Sequence, residues 1–263
     1  MLRLLSAIAL RPFNGDTRRG PRRELILREL RRAGCMPELD RYGNIWVVKG
    51  HGEPLTLFSA HLDVDPRIRK VAFRARKEGR RMVCSGILDN SAGCYLNLEL
   101  AKRGPRKGAA IYVFTASEEV DRINPRLFAR SAKEIVRELH TRGFRPRMCV
   151  AIDVTYPRLL MKHDQIDWTR EYEQIFDAGD KMHCYLDGFS RKASRELGKA
   201  LLKRFGNGKV GLRRFHGHDE AFIYDRIAPS FAFGPVVYGH FDRPEQKMPL
   251  SHLKTALAFL KKL

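Results

Sequence analysis

The run AAIYVFTA, residues 109–116, carries no charge, and from Ile111 to Phe114 it is bulky and apolar at every position. A strand of this kind has no polar face to offer water, so its sheet must be covered on both sides. The same character recurs in LTLFSAHLD (55–63), MCVAIDVT (148–155) and PSFAFGP (229–235), with GNIWVVKG (43–50) as a further strand. Between and around these runs lie helical patterns: RRELILRELRRAG (22–34), AGCYLNLELAKRG (92–104), PRLFARSAKEIVRELHTRG (125–143), RKASRELGKALLKRFG (191–206) and LSHLKTALAFLKKL (250–263). The alternation predicts a three-layer α/β/α fold around a mixed, largely parallel sheet. With no internal repeat and no low-complexity linker, residues 1–263 read as a single domain. Thr155–Asp180 is the least legible part and reads as an excursion facing a ligand.

The net charge of +20 stands apart from an otherwise ordinary composition. Such a field attracts nucleic acid, acidic proteins or anionic substrates, although a solvated basic surface with no dedicated partner explains it equally well. The basic residues are scattered, and no nucleic-acid-binding motif organises them. Five cysteines form no C-x-x-C pair, which fits reduced thiols and a cytoplasmic location. Residues Leu4–Leu10 resemble a short signal core, but Arg-Pro-Phe-Asn after them lacks a small-x-small cleavage site, so a packed first helix is expected. No stretch approaches the roughly 20 apolar residues of a membrane span.

The strand ends carry the chemistry. LTLFSAHLD finishes with His61 and Asp63, AIYVFTASEE with Glu118 and Glu119, MCVAIDV with Asp153, and the run PSFAFGPVVYGH with His240. In an open α/β sheet, ligands bind beyond the carboxyl ends of the strands. Taken singly, each residue has an ordinary explanation: a hydrogen-bonded histidine, a solvated acidic pair, a turn cap. Their recurrence at equivalent strand ends is what those explanations leave out, and imidazole with carboxylate suits zinc, with cobalt or manganese as substitutes. His61 and Asp63, two apart on an extended segment, point the same way, so Asp63 can fix the tautomer of a metal-bound His61. Glu118 and Glu119 are adjacent and diverge, so one can bind metal while the other handles a proton. Asp89, in GILDNSAG, either caps the helix after it or bridges two cations.

His61-x-Asp63, GILDNSAG, TASEEV, AIDVT and YGHFDRPE resemble, in order, the ligand motifs of the co-catalytic di-zinc peptidases. D-x-x-GN (Asp40, Gly43, Asn44), DVT and GHDEAF are similar to the tetrahedral glutamyl/leucyl aminopeptidase, or endoglucanase-M-like, branch. The resemblance implies two divalent cations, one held by His61 and Asp153, the other by Glu119 and His240, with Asp89 shared. It implies Glu118 as general base, Asp63 as the partner of His61, and a cis peptide between Asp89 and Asn90. That branch carries a large inserted domain used in assembly; here PRIRKVAFRARKEGRRMVCSGIL, between Asp65 and Asp89, is enough for a hairpin only. The tetrahedral particle is therefore not expected, while a smaller homo-oligomer stays open. Gly-His218-Asp219-Glu stands where the branch has Gly-Thr-Asp-Ala, and His218 either lines a substrate pocket or packs.

The expected activity is hydrolysis of amide bonds in peptides or amino-acid conjugates, acidic ones being favoured by the charge, most naturally as an aminopeptidase. A carboxypeptidase or N-acyl-amino-acid deacylase shares the metal chemistry and differs in how the substrate terminus is recognised. A reading of another class is a nucleic-acid- or ribosome-binding protein on a retired peptidase scaffold, which the intact ligand set argues against.

Overall fold

The computed structural model describes residues 1–11, 20–119, 129–157, 161–162, 165–166, 181–187, 190–205, 208–215, 219–240 and 243–263. The chain opens with helices α1 (Leu2–Ala9) and α2 (Pro21–Arg32), then strands β1 (Glu38–Leu39), β2 (Ile45–Gly50), β3 (Leu55–His61), β4 (Phe73–Glu78) and β5 (Arg81–Gly86). Helix α3 (Ser91–Arg103), β6 (Ala109–Thr115), α4 (Arg130–Thr141) and β7 (Met148–Ile152) follow. Two short strands, β8 (Met161–Lys162) and β9 (Gln165–Ile166), pair with each other. The chain closes with β10 (Met182–Asp187), α5 (Lys192–Phe205), β11 (Val210–Phe215), α6 (Glu220–Tyr224), β12 (Ser230–Phe233), β13 (Gln246–Pro249) and α7 (Leu250–Leu260).

The central sheet has eight strands in the order β1-β2-β6-β3-β7-β12-β10-β11. Its middle, β6-β3-β7-β12, is parallel, while β2 joins β6 and β10 joins β12 antiparallel. Every residue of β3, β6 and β7 is buried, as their uninterrupted apolar character requires. Successive side chains alternate between two cores. Phe58, Ala60, Tyr112 and Phe114 join one with α1, α2, α3 and α7, whereas Leu57, Ile111 and Val113 join the other with α4 and α6. The fold is thus α/β/α, as the sequence predicts. Helix α1 packs rather than projects: Leu5, Ile8 and Ala9 are fully buried. Helix α3 is buried around most of its circumference, ten of its thirteen residues being inside, which suits a helix wedged between the sheet and other helices.

The segment between Asp65 and Asp89 is the hairpin that its length allows. Strands β4 and β5 pair antiparallel, and β13 adds to β5 on the other side, giving a separate three-stranded sheet. Arg74, Arg76, Lys77, Arg80 and Arg81 are exposed on this ribbon.

Two expectations need correction or limit. His240 does not end a strand of the central sheet, because β12 stops at Phe233; the chain reaches His240 through bridges of Val236 to Thr155 and Tyr238 to Lys247. Gly234 and Pro235 interrupt the run there. Strands β10 and β11 were not legible as strands; they pair in parallel at the far edge of the sheet. His218, and most of Thr155–Asp180, lie outside the described residues.

Candidate metal centre

Register brings the candidate ligands together. His61 on β3 lies opposite Thr115 on β6, and Ser59 lies opposite Ala151 on β7, so the three strands end at one edge of the sheet. Beyond them the chain delivers Asp63, Glu118, Glu119 and Asp153 within a few residues.

The His61 imidazole is 2% exposed and faces carboxylates on both sides. Its Nδ1 lies 3.2 Å from Asp63 Oδ1, and also 3.2 Å from the Asp63 carbonyl oxygen. Its Nε2 lies 3.3 Å from Asp89 Oδ1 and 3.6 Å from Asp153 Oδ1. Although buried, Nε2 makes no hydrogen bond. Burial by itself would lower the imidazole pKa, but Asp153 foremost, with Asp63 and Asp89, raises it well above 6.5. The cluster therefore demands positive charge at Nε2, and a divalent cation between imidazole and carboxylates meets that demand.

Two triads place one ligand atom from each member within 4.8 Å of the others: His61, Asp89 and Asp153, and His61, Glu118 and Glu119. Glu118 is fully buried and Glu119 is 2% exposed. An all-imidazole-and-carboxylate donor set of this size fits zinc or a similar divalent ion. His240 is half-buried on the neighbouring loop and belongs to neither triad.

The supports explain why the chain folds this way locally. Asp63 serves two groups: besides facing His61, its carboxylate accepts the Glu118 backbone N–H at 3.0 Å and 2.9 Å. Asn44 accepts from the Ala116 N–H at 2.8 Å and donates to Asp40 at 2.7 Å, so the D-x-x-GN motif holds the start of the Glu118–Glu119 turn. Gly43 has φ +85°, and a Cβ there would sit 2.4 Å from Arg23 Nη1, which accounts for glycine in that motif. The Asp89–Asn90 peptide is cis. Asn90 caps α3 through the Gly93 N–H (2.9 Å) and donates to the Ile152 carbonyl (2.8 Å), tying the segment to the end of β7. A Cβ on Gly93 would meet Asn90 Oδ1 at 2.0 Å, so glycine permits that approach. Tyr156 Oη donates to Asp89 Oδ2 at 3.2 Å.

Three buried groups escaped the sequence reading. Arg22, fully buried, donates to the Leu62 carbonyl (2.8 Å), the Ser91 hydroxyl (2.9 Å) and the Arg11 carbonyl (3.1 Å). A signal existed: Arg22 falls in phase with Ile26 and Leu30 on the apolar stripe of α2. Glu220, 4% exposed, receives the Ser59 hydroxyl, which also receives that of Tyr224. Burial raises its carboxyl to about 7, against the opposing hydrogen bond from Ser59. Gln246, fully buried, had no signal at all. All five cysteines are buried and unbridged, and no described helix is long and apolar enough to cross a membrane.

A mixed sheet covered on both faces in this way is a fold shared with solved structures that include peptidases. The TET1 peptidase of Pyrococcus horikoshii, whose chains form a tetrahedron or a large octahedral shell, superposes with a TM-score of 0.73 at 14% identity, covering 98% of this chain and 97% of that one. An aminopeptidase from the archaeon Desulfurococcus kamchatkensis gives 0.71 at 13%, covering 99% and 93%. An endoglucanase from Thermotoga maritima gives 0.65 at 14%, covering 98% and 95%. No family model matches the sequence, and no curated protein matches it by sequence.

Proposed function

We propose that this chain is a metal-dependent peptidase of the co-catalytic di-zinc superfamily, a single catalytic domain that removes residues from the free N-termini of peptides. The observation that carries the reading is the setting of His61: Nδ1 faces Asp63, while Nε2, without a hydrogen bond, faces Asp89 and Asp153. The likeness of fold to an aminopeptidase and to TET1 supports it.

In this reading His61 and Asp153 hold one divalent cation, Glu119 and His240 hold the other, and Asp89 is shared. When bound, the cations supply Lewis-acid polarisation of the amide carbonyl and acidify the attacking water. Asp63 keeps the proton of His61 on Nδ1, leaving Nε2 as the donor atom. Glu118, whose backbone Asp63 anchors, takes the proton of the attacking water and returns it to the departing amine. Tyr156 orients Asp89 by donating its hydroxyl to Asp89 Oδ2. Homo-oligomerisation belongs to the reading through the assembling TET1 neighbour. The exposed cations of the β4–β5 ribbon favour one second reading, attachment to a polyanion, for which binding would weaken steeply with salt.

The test is metal analysis joined to hydrolysis of an aminoacyl-anilide panel with free and blocked N-termini. Two cations per chain, with cleavage confined to free N-termini, support the reading. Release of the blocking acyl group points instead to a deacylase, cleavage of a blocked peptide with a free C-terminal carboxylate to a carboxypeptidase, and a protein that neither binds nor hydrolyses after zinc or cobalt loading sinks the reading.

A further inference from the structure

One buried side chain joins two segments that the proposed function assigns to different parts of the centre. Gln246 is the first residue of β13, opposite Gly86 of β5 and fully buried. Its Oε1 accepts two backbone N–H groups in succession, Leu88 at 2.6 Å and Asp89 at 2.8 Å. Its Nε2 donates to the carbonyl oxygen of His240 at 3.1 Å. An amide is the side chain that can do this, since it carries an acceptor and a donor on one rigid plane. A carboxylate lacks the donor, and an apolar residue of the same size lacks both.

We propose that Gln246 is a positioning residue that sets Asp89 against His240, so that the shared carboxylate and the second-cation imidazole form one binding unit. The inference rests on the two-cation reading above. The segments it joins belong to different parts of the fold: Asp89 precedes α3 beneath the central sheet, whereas His240 sits on the loop entering β13. His61 and Asp153, by contrast, are placed by β3 and β7 and need nothing from Gln246. The consequence is selective. Loss of the Nε2 donor alone weakens the second cation and spares the first, because only the second draws on His240; loss of the acceptor as well also disturbs Asp89, which both cations share.

The experiment is calorimetric zinc titration of the metal-stripped full chain, with stoichiometry by atomic absorption, on wild type, Gln246→Leu and Gln246→Glu. Each metal-free variant is first checked for an unchanged thermal transition profile. The expected result is a second-cation Kd raised tenfold or more in both variants, with the first within about threefold in Gln246→Glu, where both acceptor contacts to the Asp89 segment remain. Gln246→Glu keeps both acceptor contacts and adds negative charge, which on charge alone would tighten cation binding. Weakening in that variant therefore supports positioning, and it decides the matter even if Gln246→Leu does not fold. Equal weakening of both cations, or an unchanged or tighter second one in Gln246→Glu, overturns the inference while leaving the two-cation reading intact. A wild type that binds fewer than two cations removes both together.

Discussion

Arg22 allows the most demanding quantitative test, because its surroundings are known atom by atom. The guanidinium is fully buried and holds four oxygens: the carbonyl between His61 and Asp63, the hydroxyl of Ser91 just after Asp89–Asn90, and the Ile8 and Arg11 carbonyls. Desolvation depresses its pKa, and Cys94, Asp63 and Asp89 work against that depression. Arg22→Met keeps the stem and removes the charge and every donor. Each hydrogen bond to a charged group is worth about 1.5–3 kcal/mol. The sum is offset by relief of a buried charge, and removing one partner of a buried ionic network costs about 3–5 kcal/mol. The middle of that range, about 4 kcal/mol, lowers the Tm of a chain this size by about 8–16 °C. Scanning calorimetry on metal-stripped wild type and Arg22→Met reads this directly. Arg22→Lys restores the charge without the planar fork and is expected to fall between them. A shift below about 3 °C in Arg22→Met would refute the reasoning, since it would mean these oxygens find partners without the guanidinium.

Glu118→Gln is expected to lower kcat by about 10²–10⁴-fold while cation stoichiometry stays at the wild-type value, because in the proposed reading Glu118 moves a proton and is not a ligand; stopped-assay kinetics with metal analysis checks both halves. Asn44→Ala removes the partner of the Ala116 N–H and one of the donors to Asp40, at a cost of about 3 kcal/mol measurable by urea denaturation, and lowers activity by loosening the Glu118–Glu119 turn. Glu220 gives a pH dependence with a definite sign. Its carboxyl is raised from 4.5 to about 7 in the folded chain, so its neutral form is favoured by folding; that stability is complete below pH 4.5 and is lost as pH rises through 7. Glu220→Gln, neutral throughout, is therefore expected to exceed metal-free wild type by about 3 kcal/mol at pH 8 and to converge with it near pH 5. A pH-independent difference between the two would remove the carboxyl as the cause.

The layered fold was legible because its signal is local: β3, β6 and β7 are buried from end to end, and their residues say so without reference to the rest of the chain. The candidate ligands at the ends of those strands stand out for the same reason. His61, Glu118, Glu119 and Asp153 follow directly from apolar runs, and parallel register does the rest. Strands β10 and β11 were hidden because MHCYLD and VGLRRF carry polar and basic residues that mimic a loop, although only β11 lies at the sheet's edge. His240 was placed on the wrong element: the strand stops at Phe233, before Gly234-Pro235, but the apolar Val236 and Val237 beyond that pair read as its continuation. Gln246 and Glu220 were out of reach in a different way. Their roles depend on contacts more than 150 positions away along the chain, with Asp89 and Ser59 respectively, and no spacing rule spans that distance.

The parallel β6-β3-β7 arrangement also has a kinetic consequence. Parallel neighbours are joined through crossovers, so the edge where His61 meets Asp153 exists only after distant stretches of chain have found one another. A cation offered to the unfolded chain meets no assembled site. Zinc is then expected to leave the refolding rate nearly unchanged and to slow unfolding, acting as a latch on the finished molecule and not as a nucleus for its folding.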